Sequence, residues 1–461
     1  MIYFTAFVIV YVLHVLLRLN WCITLVVLVY ALVMVPKHRK RHKKAADNQK
    51  RFYEVSMYLD TLLYSFVKEE KVELAVRDVS QTLCEGRMKN LVQKSYDYVQ
   101  MTFDEVAVLE EGLAMIEREY SCQRMRTVHQ FMCHVEFYGG EIEKPVNLLL
   151  ADKSRWEKRI KEAIAERKKQ FADILLSVTA SVCICGAIIA LPVMDMDISN
   201  EWVVQIVSLV VIIANDFIVL KAQDYLGVDW LLIPLTEEEE YYVAKMESLQ
   251  NYQEEKERKR SGILGAIGIA VSALCFIMQK EWMVVFSLLV SLFLFQQHNV
   301  GKKLLQDRLV KEIKHQFPNW LLDLVLLLQS ENVQVALQKS KIHVPGVLRS
   351  ELYCLTERLE MQPEASEPYH QFLKEFDIPE VHSAMGILYS LSIGNSGNAD
   401  KQMNELVEKN LEMLDITETQ LLKNSAAGMY VLFLLPVITA SFKLVVDMVI
   451  LMLRFISMPM I

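Results

Sequence analysis

Long apolar runs set at close intervals constrain this chain most. Ile2 to Leu17 is apolar apart from His14, and Trp21 to Val35 carries no charge. One helix through both would be about 50 Å long at ~1.5 Å per residue, against a hydrocarbon core of ~30 Å. Two short helices joined at Arg18 to Asn20 fit better. Ile174 to Leu191 and Trp202 to Leu220 form a second pair, and Ile263 to Met278 with Trp282 to Phe295 a third. Ala426 to Phe442 is a seventh apolar run, without a charge. Composition agrees, with 53% hydrophobic and 23% charged residues over 461 positions. That balance excludes a disordered chain, and 15 Gly with 11 Pro is too few for a loop-rich β protein. The expected class is all-α, a polytopic membrane protein.

Charge segregation sets the predicted orientation. Net charge is −8, yet Lys37 to Lys44 reads KHRKRHKK, without an acid. Arg155 to Lys169, Lys256 to Arg260 and Lys302-Lys303 are further basic stretches. All share one side if residues 1–36, 172–220 and 262–298 are hairpins, and the positive-inside rule makes that side the cytoplasm. The predicted division is then a transmembrane hairpin 1–36, cytosolic helical module 37–171, hairpin 172–220, cytosolic helical linker 221–261, hairpin 262–298, cytosolic module 299–425 and C-terminal transmembrane region 426–461. A cleaved signal peptide is not expected, because no basic stretch precedes the first apolar run. In the tail, Lys443, Asp447 and Arg454 line one helical face. It either spans, with a polar stripe, or lies flat on the surface.

The two large polar segments read as copies. RFYEVSMYLDTLLYSF from Arg51 and QFPNWLLDLVLLLQS from Gln316 each place an aromatic before Leu-Asp (Leu59-Asp60, Leu322-Asp323) and an apolar run. VELAVRDV at Val72 pairs with VQVALQKS at Val333. TVHQFMCHVEFYGG at Thr127 pairs with EVHSAMGILYSLSIGNSG at Glu380. The predicted cores are Leu59, Leu62, Leu63, Ala75, Val128 and Phe131, and Leu322, Val325, Leu326, Ala336, Val381 and Met385. Gly139-Gly140 and Gly394/Gly397 are expected to end helices, because glycine accepts positive φ. Stalk helices then start near Pro145 and Asn398 and run unbroken into apolar spans. In the linker, Thr236 with Glu239 forms a capping box, and the helix after it is expected to continue through Arg260.

No catalytic, cofactor-binding or metal-binding residue is assigned. The chain has no GxxxxGK[ST], no GxGxxG after a strand, no HExxH and no GxSxG. Eight cysteines form no CxxC pair and no zinc spacing. His129 and His382 hold matching repeat positions inside apolar stripes and read as core histidines. Asp216 stands four residues before Leu220, within reach of the headgroups, and no span is expected to carry the buried charges of an ion pathway. Lys37, Arg39, Lys40, Arg41, Lys43 and Lys44 follow directly on a span, so their expected partner is anionic lipid rather than nucleic acid.

The duplicated module resembles the type II secretion F-domain family, the inner-membrane platform proteins of type II secretion systems, type IV pili and Tad pili. The resemblance rests on Phe317-Pro318, Leu322-Asp323 and Ala336-Leu337, on the glycine-terminated helix before each stalk, and on Pro436 in the last span. A hairpin before each module is similar to two Tad-pilus platform proteins joined in one chain. The resemblance implies a non-enzymatic scaffold in the inner membrane, whose modules meet a cytosolic secretion ATPase and whose spans guide pilin-like subunits. A homo-oligomer is left open. The competing readings are a membrane-anchored sensor or regulator and a transporter subunit.

Overall fold

The computed structural model describes residues 2–101, 106–140, 142–190, 198–231, 239–250, 254–277, 281–394 and 399–457. It is 90% helix, with no strand among the described residues. In chain order the helices are α1 (Ile2–Leu16), α2 (Trp21–Glu69), α3 (Val72–Thr82), α4 (Arg87–Met101), α5 (Val106–Tyr120), α6 (Gln123–Tyr138), α7 (Glu143–Ala190), α8 (Trp202–Leu226), α9 (Glu239–Gln250), α10 (Glu254–Ile277), α11 (Glu281–Leu327), α12 (Val333–Ser340), α13 (Gly346–Met361), α14 (Glu367–Gln371), α15 (Pro379–Ser392) and α16 (Ala399–Ser457).

Among the described residues, four helices are long and apolar enough to cross a membrane: α2, α7, α8 and α16. A fifth arises if Val284–Gln296 and Val300–Leu327, bent by 54° within α11, count as one span. The seven apolar runs therefore do not give seven long spans. α1 has 15 residues, about 22 Å, short of the ~30 Å core. Large apolar side chains on these segments stay open to the surroundings, among them Phe4, Leu25, Phe293 and Leu434. Exposed apolar area on that scale marks a membrane or partner surface.

The long helices run unbroken across the expected segment boundaries. α2 passes without interruption through Pro36 and the basic run to Glu69. A proline inside a helix loses one hydrogen bond, but Lys and Arg are good helix formers and carry it on. α7 has 48 residues and α16 has 59, about 72 Å and 88 Å. The tail after Phe442 is thus the end of α16, not a separate surface helix.

The chain divides into two compact units. The first comprises residues 1–137, 149–233 and 419–461, and the second 138–148 and 234–418. In the first, α2 buries Phe52, Val55, Tyr58, Leu59, Leu62, Leu63 and Phe66 at helical spacing. Phe52 meets Trp156 of α7 edge-on at 4.9 Å, and Phe66 meets Phe131 of α6 at 6.3 Å. All six core residues predicted here are buried. Its apolar end packs Val10, Leu17, Val27, Cys185, Val204 and Ala440 from α1, α2, α7, α8 and α16. Gln205 secures the turn between α1 and α2. Its Nε2 donates to the Arg18 carbonyl at 2.9 Å, and its Oε1 accepts from Asn20 N at 2.9 Å.

In the second unit, Phe317, Trp320, Leu321, Leu324 and Val325 of α11 are buried, as are Ala336, Leu337, Leu348, Leu352 and Met385. Trp320 stacks on Phe372 at 6.0 Å, and its Nε1 donates to Ser340 Oγ at 3.3 Å. Five of the six predicted core residues are buried, and Leu326 is only half-buried. It lies in the last turn of α11, next to the end of the helix at Leu327. Asn332 caps α12 by accepting from Val335 N at 2.9 Å. α10 and α11 approach closely at two glycines. Ser291 Oγ donates to the Gly265 carbonyl at 2.8 Å, and a Cβ on Gly268 would come within 2.9 Å of Ser291.

Gly139 and Gly140 follow α6 with φ of 71° and 143°, and Gly394 follows α15 with φ of 72°. A side chain disfavours these conformations. Gly397, Asn398, Gln279, Lys280 and the segment Pro234 to Thr236 lie outside the described residues. Residues 251–253, between α9 and α10, also lie outside, so the expected continuation of that helix through Arg260 falls partly on undescribed residues.

Candidate functional site

In the first unit a group of polar side chains meets among the long apolar helices, and that gathering is the best candidate site. On α2, Val27, Tyr30, Ala31, Met34 and His38 recur at three and four residues and share one face. On α8, Ile212, Asn215, Asp216, Val219 and Gln223 do the same. Where the faces meet, Tyr30 donates its hydroxyl to Asp216 Oδ2 at 2.9 Å. His38 Nε2 lies 2.9 Å from Asp216 Oδ1, and its Nδ1 lies 3.0 Å from Gln223 Oε1. One turn further, Arg41 pairs with Asp224 at 2.9 Å. Both oxygens of Asp216 therefore serve α2.

Beside this cluster lies a cavity of about 850 Å³ between α1, α2, α7 and α8. Its wall is mostly apolar, with Ile9, Val12, Leu16, Val27, Met34 and Val182 among its residues. His38, Arg39, His42, Asp216 and Gln223 line its polar part. That volume falls in the ~300–1,000 Å³ range of small-molecule sites, which also pair apolar walls with a few polar groups.

A second polar group corrects the expectation that no span holds a buried charge. Lys443 and Asp447 of α16 are both wholly buried and pair at 2.8 Å. Arg454, further along that helix, pairs with Glu201. Nearby, Thr439 donates to Asn215 Oδ1 at 3.0 Å, and Asn215 Nδ2 donates to Ser181 Oγ at 3.4 Å. α7, α8 and α16 are thus joined by side-chain hydrogen bonds within apolar surroundings. An i, i+4 lysine and aspartate are easily missed in sequence, because spacing alone does not tell a paired buried charge from a solvated stripe.

Arg167 joins the same three helices just outside that zone. It is 1% exposed. Its Nη1 donates to the Tyr225 carbonyl at 2.9 Å, its Nη2 to Ser425 Oγ at 2.6 Å, and its guanidinium lies 4.6 Å from the Trp230 ring centroid.

The histidines of the repeat differ from each other. His129 is buried, with Nε2 2.8 Å from the Tyr58 hydroxyl and Nδ1 2.8 Å from Glu117 Oε1. Tyr58 has no exposed surface, so this chain of groups supports the bundle from inside rather than meeting a substrate. Burial alone would raise the Glu117 carboxyl, but His129 and Arg126 outweigh it and hold it below its ordinary range. His382 is half-buried. The motif residues Phe317, Leu322, Ala336 and Leu337 are all core.

Among the described residues, no three His, Cys, Asp or Glu side chains come together to hold a metal ion. In the basic run, Lys37, Arg39, Lys40, Lys43 and Lys44 are exposed on α2, and Arg41 is half-buried against Asp224. Compared with known proteins, the chain matches no family model, no curated protein and no solved structure.

Proposed function

We propose that this protein is a non-enzymatic platform of the cytoplasmic membrane, the assembly scaffold of a type II secretion or pilus-type system. Its two helical modules would face the cytoplasm and meet a secretion ATPase, and its spans would guide pilin-like subunits. The observation that carries this reading is the pair of stalks. α7 and α16 each run from a helical bundle into an apolar segment with no break. A stiff rod of that kind can carry motion from a cytosolic motor into a membrane. Element order gives further support for duplicated modules. α2 to α7 run long, short, three intermediate, long. α11 to α16 repeat the pattern, with α14 reduced to five residues. The exposed basic residues of α2, Lys37, Arg39, Lys40, Lys43 and Lys44, suit contact with anionic lipid headgroups.

The test is co-purification of the full chain, in mild detergent, with a hexameric secretion ATPase from the same cells. Retention of the ATPase, lost when the exposed face of α13 is charge-reversed at Arg349 and Arg358, is the expected result. No retention at any nucleotide state, or genes for transport alone beside this one, overturns it. The buried Lys443–Asp447 pair favours a second reading, a transporter subunit, since intramembrane ionisable groups often mark ion paths. Proteoliposomes holding the protein would then show proton or cation flux that disappears in the Lys443→Met, Asp447→Leu double variant.

A further inference from the structure

We infer that the cavity between α1, α2, α7 and α8 seats an acyl chain of one anionic phospholipid, with the phosphate held by Arg39. The inference is independent of the platform reading.

Three observations converge. The first is shape. The cavity follows one face of α2 from Val27 to His42. Val27 and His38 are eleven residues apart, about 16 Å along the helix axis, and one leaflet of a ~30 Å core is ~15 Å deep. The wall over that depth is mostly apolar, its polar groups including Tyr30, Thr179, Asn215 and the Asp216 cluster.

The second is charge. Polarity changes at the end of the cavity, where His38, Arg39 and His42 line it. Arg39 is exposed and makes no hydrogen bond or ion pair within the described chain. Its neighbour Arg41, by contrast, is committed to Asp224. A free guanidinium at the mouth of an apolar cavity suits a phosphate diester, which it can hold through two parallel N–H donors. The one carboxylate in the lining does not oppose this, because Tyr30 and His38 occupy both oxygens of Asp216.

The third is position. The headgroup end lies at the first turn of the KHRKRHKK run. That run raises the local concentration of anionic lipid on its own side of the membrane, while the cavity selects one molecule. A diffuse basic surface would hold lipids in exchange, whereas this site would keep one through purification.

The full-length protein, purified in mild detergent, is incubated with phosphatidylglycerol or with phosphatidylcholine of the same chain length. Native mass spectrometry then counts lipids per chain. One retained phosphatidylglycerol, preferred over phosphatidylcholine, is expected. Ala31→Trp fills the cavity from α2 and should remove retained lipid of both kinds. Val182→Phe fills it from α7 and gives the same reading if the first variant does not fold. Arg39→Gln should lower the preference for the anionic lipid about fivefold, and Lys40→Gln, one residue away but not in the lining, should leave it unchanged. Unaltered lipid retention in a folded cavity-filled variant overturns the site. Equal losses in the Arg39 and Lys40 variants also overturn it, since the contact would then be the basic surface as a whole.

Discussion

Arg167 on α7 donates to the Ser425 hydroxyl on α16 at 2.6 Å, across 258 positions of sequence. The same guanidinium holds the Tyr225 carbonyl of α8 and lies over Trp230. One side chain therefore ties together three helices as they approach their apolar segments. Hydrogen bonds from a charged donor contribute about 1.5–3 kcal/mol each, and a desolvated cation–π contact adds up to ~2. These contributions overlap, and burying the charge offsets part of them. Arg167→Ala should then cost about 2–4 kcal/mol, and Arg167→Lys less, since lysine keeps the charge but not the planar fork. Thermal unfolding in detergent reads both. Midpoints equal to that of the native chain would show that the contact does not hold the helices.

The helical class was legible because apolar runs and 3.6-residue spacing are properties of single segments. Leu59, Leu62 and Leu63 announce their buried face without any partner. Arg167, Tyr30 and Asp216 do not, because their roles depend on which helices become neighbours. Asp216 and His38 are 178 positions apart, and nothing local to either one names the other. Lys443 and Asp447 were visible as one face of a helix, yet only packing shows that the face turns inward. The passage of α2 through Pro36 is not legible in the sequence for a different reason. Proline signals a helix end in isolation, and here the helix-forming run after it carries α2 on for about nine more turns.

Acid should weaken the first bundle through Glu157. Its carboxylate accepts from Ser56 Oγ at 2.8 Å and from Lys153 and Lys161. Burial alone would raise this carboxyl, but those bonds outweigh it and hold it at about 2, against an ordinary value of 4.5. A depressed carboxyl adds stability that is complete above 4.5 and is lost as the pH falls from there towards 2. Glu117 shifts in the same direction. Unfolding midpoints measured from pH 7 to pH 3 should fall more steeply for the native chain than for Glu157→Gln, which has no proton to take up there. Parallel curves would remove Glu157 from the account.

The proposed orientation can be read with the protein's own thiols. Cys84 and Cys354 are both exposed and lie in the two modules, whereas Cys122 and Cys133 are buried. A membrane-impermeant maleimide should therefore leave Cys84 and Cys354 unlabelled in intact cells and modify them after permeabilisation. Single-cysteine variants, each keeping one of the two, assign the signal. Ready labelling of either residue in intact cells would place that module outside and reverse the orientation drawn from Lys37 to Lys44.

The stalk is where the platform reading makes its sharpest demand. Ile164 is buried on α7, after the bundle residues Trp156 and Ile160 and before the apolar segment. Ile164→Pro removes one backbone hydrogen bond and drives the ring into the carbonyl of Ile160, which kinks the axis and costs about 3 kcal/mol or more. Ile164→Ala keeps the helix and loses only the buried side chain, a cost of about 2–5 kcal/mol. The two variants are thus comparable in stability but different in stiffness. If α7 carries motion from an ATPase into the membrane, the proline variant should insert and bind the ATPase yet assemble no filament or secrete no cargo. The alanine variant should keep most of that output. Normal output from a correctly inserted proline variant would show that α7 is an anchor rather than a transmitting rod, and would leave α16 to carry the motion alone.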